Sequence, residues 1–116
     1  MINEIWGEIG GGSSFTDRGR RINLLNGKLW DKYSYGRIES GRVTGDRVWV
    51  DRSINTMPLG NKHPSTSQVQ SNGGWKQCGP ETGAHSFYVL SWHRAVRVCW
   101  DPTSGDARCG AWYVDQ

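Results

Sequence analysis

The sequence predicts an all-β domain, a small antiparallel sandwich or barrel with a flexible N-terminal extension, and three observations predict it. From about residue 28 onward, short alternating runs of apolar and polar residues are separated by turn residues, the texture of half-buried strands. Between residues 53 and 85, Pro58, Gly60, Pro64, Gly73, Gly74, Gly79, Pro80 and Gly83 punctuate the chain too densely for long elements. At the end, two alternating runs flank Asp101-Pro102-Thr103-Ser104-Gly105-Asp106, a spacer with the residues that reverse a chain.

Taken in order, the chain begins with Ile2, Ile5, Trp6 and Ile9, at the three-, four- and seven-residue offsets of one helical face. Gly10-Gly11-Gly12-Ser13-Ser14 follows and reads as a flexible tether. Residues 1–27 are therefore expected to form an extension, and residues 28–116 a single β domain. An apolar cassette on a tether either folds back over its own core or docks into another protein, with Ile2, Ile5, Trp6 and Ile9 as the contact residues.

The strand-like runs are Leu29–Lys32, Tyr35–Glu39, Arg47–Arg52, Gln68–Gln70, Ser86–Ser91, Arg94–Trp100 and Ala111–Val114. Gly45-Asp46 turns the chain into Arg47-Val48-Trp49-Val50-Asp51, where Val48 and Val50 share one face and Arg47, Trp49 and Asp51 the other. Residues 53–85 read as loops around one short strand. Val96, Val98 and Trp100 alternate with Ala95, Arg97 and Cys99 before the last turn, and Cys109 opens the return strand toward Trp112 and Val114.

Of three cysteines, Cys99 and Cys109 are the favoured pair, because the residues between them can bring them together; spacing alone does not choose among the three pairings. A bridge closing about ten residues contributes about 2–3 kcal/mol in the chain-entropy model. Cys78 is then unpaired, either buried or joined to a partner chain.

Composition narrows the function classes. The chain has 116 residues, 35% of them hydrophobic, and its mean hydropathy is −0.67, so its core is modest. Seven tryptophans concentrate the capacity for burial, and most are expected in the core. A net charge of +3, with basic residues dispersed among acidic ones, gives no nucleic-acid footprint, and nucleic acid is not an expected partner. No run approaches the roughly 20 apolar residues of a membrane span. No charged-then-apolar leader opens the chain, so a secreted protein is expected here in mature form.

No enzymatic constellation stands out, and no cofactor is expected. His63, His85 and His93 lack zinc-ligand spacing with the cysteines, so no metal is expected. His85, His93 and Arg94 around an apolar strand could suit acid and base roles in a small basic ribonuclease toxin, but the turns around both histidines read as exposed surface. Ser53, Ser71 and Ser91 sit in no nucleophile-elbow context, and Glu39, Asp46 and Asp51 read as ordinary carboxylates. A glycan-binding alternative rests on loop aromatics, with Trp75, Lys76 and Trp92 as the candidate contacts.

The run Gly45-Asp46-Arg47-Val48-Trp49-Val50-Asp51-Arg52-Ser53, with Arg94-Ala95-Val96-Arg97-Val98-Cys99 and Cys109-Gly110-Ala111-Trp112, resembles a class of small secreted β modules of actinobacteria. Those modules stand beside polysaccharide-degrading domains or alone. The resemblance spans roughly residues 43–53 and 94–114 and implies an extracellular β domain. It departs at Ile54-Asn55-Thr56-Met57-Pro58-Leu59, where the modules carry an Asp-Gly-Gly-x-Thr-Trp turn. With its apolar N-terminal segment the chain also resembles the adaptor subunits of secreted Streptomyces toxin particles. The resulting expectation is a secreted, non-catalytic adaptor that docks to other secreted proteins, with cell-surface glycan as the alternative ligand.

Overall fold

The computed structural model describes residues 5–28, 32–103 and 105–116. Its elements are β1 (Trp6–Glu8), β2 (Phe15–Asp17), β3 (Arg20–Gly27), β4 (Tyr33–Ser40), β5 (Arg47–Ser53), α1 (Thr66–Ser71), β6 (Trp75–Thr82), β7 (Val89–Leu90), β8 (Ala95–Asp101), β9 (Arg108–Cys109) and β10 (Tyr113–Val114). Two antiparallel sheets form, one ordered β1-β3-β4-β7 with β2 beside β3, the other β10-β8-β5-β6 with β9 beside β8.

Strand alternation explains the core. Ile22, Leu24 and Ile38 of the first sheet point inward to meet Val48, Val50, Val96, Val98 and Trp100 of the second, closed by Phe15 and Val89. The expected faces of β5 are therefore correct, with Val48 and Val50 inside. Gly36 sits where the sheets come closest: a Cβ there would lie 2.3 Å from Val98 Cγ2, so a side chain would push β4 off the valine layer. A second cluster of Met57, Val69, Ala95, Trp112 and Val114 seats α1 against the outer side of the second sheet.

Several expectations are corrected. Among the described residues, the N-terminal part is no helix on a tether: Trp6, Gly7 and Glu8 pair with Gly27, Asn26 and Leu25. Serine hydroxyls make the difference at the supposed tether, because Ser13 donates to the Ala111 carbonyl at 2.9 Å and Ser14 accepts from the Leu24 amide at 2.9 Å, both serines being buried. Residues 20–27 form a central strand with Ile22 and Leu24 fully buried, so the domain does not begin at residue 28. Gln68–Gln70 lies in α1, which starts at a capping box: Ser65 accepts from the Gln68 amide while the Gln68 side chain accepts from the Ser65 amide. The punctuated region also holds the eight-residue β6, and Ser86–Ser91 is a strand only at Val89–Leu90. Residues 29–31 of the run Leu29–Lys32 lie outside the described residues. Among the described residues the main core is built of valine, leucine and isoleucine with Phe15 and one tryptophan, Trp100; Trp49 and Trp112 are buried elsewhere, Trp6, Trp75 and Trp92 are half-buried, and Trp30 lies outside the described residues.

One end of the sandwich is tied by ion pairs. Asp46, 1% exposed, accepts from Arg20 Nε at 2.9 Å, from Arg20 Nη2 at 3.1 Å and from the Val43 amide at 2.8 Å. The hydrogen bonds from Arg20 outweigh the opposing effect of burial and hold the Asp46 carboxyl below the usual carboxylate range. At Asp17 burial pushes upward, but the hydrogen bonds and charges of Arg18 and Arg108 together bring the carboxyl down. A carboxyl depressed in the folded state stabilises it above the unfolded value, and that contribution disappears as pH falls through the folded value. Stability is therefore expected to fall below about pH 4. Asp46→Asn should be less stable at neutral pH and lose less on acidification, as read by denaturant midpoints across pH; parallel pH curves for variant and wild type would contradict this.

Candidate functional site

The outer face of the first sheet gathers several exposed aromatic and apolar side chains that the strand registers bring together. Tyr33 stands opposite Leu90 and Ser34 opposite Val89, so alternation puts Tyr33, Tyr35, Tyr88 and Leu90 outward while Ser34 and Val89 turn in. Trp6 joins them from β1. Its ring stacks on Tyr88 at 5.3 Å and 7° between planes, and meets Tyr35 edge-on at 4.9 Å; Tyr35 meets Tyr88 edge-on at 5.0 Å. Tyr88, Leu90 and Tyr33 remain 62%, 49% and 45% exposed.

Charge borders this patch. Arg37 pairs with Glu39 at 3.0 Å and Arg21 with Glu8 at 2.9 Å farther along the strands, and His85 lies edge-on to Tyr35 at 6.3 Å. An apolar centre with a polar rim is the anatomy of a protein-binding surface, in which tyrosine and tryptophan supply much of the affinity.

The candidate contacts of the N-terminal segment are divided by the fold. Trp6 belongs to this patch, whereas Ile5 is 56% exposed just before β1, its carbonyl accepting from the Lys28 amide at 2.7 Å. Ile9 turns toward the core, and its amide donates to the Leu24 carbonyl at 2.9 Å. Ile2 lies outside the described residues. Sequence spacing could not find Tyr33, Tyr35, Tyr88 and Leu90 as a group, because strands far apart in the chain assemble them.

The glycan candidates do not converge. Trp75 is in β6, not a loop, and meets Trp112 edge-on at 5.5 Å. The Arg97 guanidinium lies over both indoles, 4.9 Å from Trp75 and 4.5 Å from Trp112, and is held by Asp51 at 3.0 Å. Lys76 is exposed on the next position of β6, and Trp92 packs on His93 at 4.2 Å in the turn before β8.

The cysteines pair as favoured: Cys99 and Cys109 form the disulfide across β8 and β9, and Cys78 is unpaired and half-buried. Burial is the main influence on Cys78 and pushes its thiol up. Asp51, Cys99 and Cys109 are the one group of potential metal ligands within 4.8 Å of each other among the described residues, and the disulfide occupies both sulfurs. Ser91 and Ser34 share a 2.7 Å hydrogen bond in a buried chain that continues through Asn26 to Asp115, so Ser91 is a structural hydroxyl. His85 is exposed, whereas His93 is half-buried with φ +62°, less exposed than its turn position suggested.

These features define a two-sheet, disulfide-closed β domain with an aromatic outer face. Compared with family models, curated proteins and solved structures, the chain matches none. Its disulfide is compatible with an extracellular protein, and no helix among the described residues is long and apolar enough to cross a membrane.

Proposed function

We propose that this chain is a secreted, non-catalytic interaction module that docks to a partner protein through the outer face of its first sheet. The observation that carries this reading is the joined patch of Trp6, Tyr33, Tyr35, Tyr88 and Leu90, exposed at its centre and bordered by paired charges. In this reading the N-terminal segment acts as part of the sheet and contributes Trp6, not as a free arm.

Ring packing favours a protein over a glycan. Sugar binding needs an open aromatic face for stacking, but Trp6 and Tyr88 each give one face to the other, and Arg97 lies over Trp75. What the patch offers outward is clustered tyrosine and leucine side chains, Tyr88, Leu90 and Tyr33, a surface suited to close packing against side chains.

The test compares wild-type protein with Tyr33→Ser and Tyr88→Ser in capture from the secreted fraction of the producing cells, followed by affinity measurement on the captured protein. Both positions are exposed, so melting temperatures should hold while affinity falls about tenfold or more in each variant. A glycan array run in parallel should show no ligand. Capture unaffected by both substitutions, or array binding lost on Trp75→Ala, would refute the reading.

A further inference from the structure

We propose that the opening between β6 and β7 binds an extended acidic segment of the partner protein, with carboxylates placed against Arg52 and Lys76. This rests on the reading of the chain as a protein-interaction module, because the opening adjoins the aromatic face and shares Tyr88 and Leu90 with it.

The first observation is a conflict of charge. Arg52 of β5 and Lys76 of β6 stand directly opposite in the register, next along the same face as the Val50–Cys78 pair. Like charges directly opposite on a sheet repel. Seven of the ten arginines (Arg18, Arg20, Arg21, Arg37, Arg47, Arg97 and Arg108) have carboxylate partners. Among the described residues Arg52 has none, like Arg42 and Arg94 whose guanidinium groups go to backbone carbonyls, and neither has Lys76; what sets Arg52 and Lys76 apart is that they face each other. Arg52 donates through Nη1 to the Leu90 carbonyl at 2.9 Å, which holds it at the groove wall with most of its five donors left for an anion.

The second observation is shape. A groove of about 380 Å³ runs here, with Cys78 and Gly79 along β6 and Phe87, Tyr88 and Leu90 opposite. Phe87 is 57% exposed and lies over Gly79, whose added Cβ would come within 3.0 Å of the ring, so it closes one end. The third is an open edge: β6 ends its sheet and, among the described residues, pairs with β5 alone, leaving backbone groups of its regular part, Trp75 to Cys78 before the register shift, on its far side for an added strand. Facing cations, one apolar wall from Phe87 to Leu90 and a strand edge together fit a peptide that alternates acidic and apolar side chains. A sulfated polysaccharide would use the cations and leave the wall and the edge unmatched.

The test uses a fluorescent peptide alternating glutamate with valine and its glutamine counterpart, titrated by anisotropy against wild type, Lys76→Glu and Lys76→Arg. The side chain of Lys76 is exposed, and a melting curve for each variant confirms folding. The acidic peptide should bind at least about tenfold tighter than the glutamine one, lose that margin with Lys76→Glu, keep it with Lys76→Arg, and weaken with added salt. Bound peptide should also slow alkylation of Cys78. No binding of the acidic peptide, equal binding of both peptides, indifference to Lys76→Glu, or binding of a sulfated polysaccharide in place of the peptide would each overturn the proposal. Tyr33 lies outside the groove, so loss of partner capture with Tyr33→Ser but not with Lys76→Glu would leave the aromatic face standing and remove the groove; the opposite pattern would remove the face.

Discussion

Trp100→Ala is expected to leave the chain without a stable native state. Trp100 is fully buried between the sheets, its Nε1 donates to Asp17 at 3.2 Å, and the guanidinium groups of Arg18 and Arg20 lie 4.8 and 5.0 Å from its ring centre. Truncating a buried tryptophan costs about 3–5 kcal/mol through lost transfer energy and the cavity left behind. A domain of this size holds only about 5–15 kcal/mol in all, so the loss approaches the whole margin. Near-ultraviolet circular dichroism and urea unfolding should show loss of fixed packing. Trp100→Phe keeps a ring in place and gives up the N–H donor, so it should cost clearly less. An alanine variant within about 1 kcal/mol of wild type would mean that Trp100 does not organise the core.

The second large effect is expected on removing the disulfide. Cys99 and Cys109 are register partners ten residues apart, and β9 has one further pair, Trp100 with Arg108, to hold it to β8. Changing both to serine should cost about 3 kcal/mol and lower the melting temperature by about 10 °C or more. Serine is the fair replacement at position 99, because that side chain is fully buried 3.4 Å from the Asp51 carboxylate, which a hydroxyl can satisfy and a methyl cannot. Reduction of the wild type should give the same shift. Peptide mapping under non-reducing conditions checks the premise: both thiols free in protein from an oxidising compartment would remove this contribution and the argument for secretion with it.

The two proposed surfaces differ in physics and are expected to respond to different substitutions. Binding at the aromatic face, packed ring on ring, should be insensitive to salt; binding in the groove, which would depend on Arg52 and Lys76, should not be. That contrast separates them even where Tyr88 and Leu90 touch both.

The sequence by itself determined the all-β class, the shared face of Val48 and Val50 and the reversal between β8 and the chain end, and it favoured the Cys99–Cys109 pair. Each of these is local: alternation with a period of two and a turn-rich spacer read out within a few residues. That Val48 and Val50 face inward and that this pair closes was decided by the tertiary structure. Of the two readings open for the N-terminal segment, Trp6–Glu8 follow the one that folds back on the domain, but as a strand: Ile2, Ile5, Trp6 and Ile9 satisfy helical spacing over too short a stretch, and what decides Trp6–Glu8 is an edge of β3 to pair with. The sequence misjudged Gly10–Ser14 because composition cannot show that Ser13 and Ser14 find the Ala111 carbonyl and the Leu24 amide. The aromatic face and the Arg52–Lys76 pair were decided by tertiary structure alone, since both depend on register between strands distant in the chain, and no single stretch of sequence carries a register.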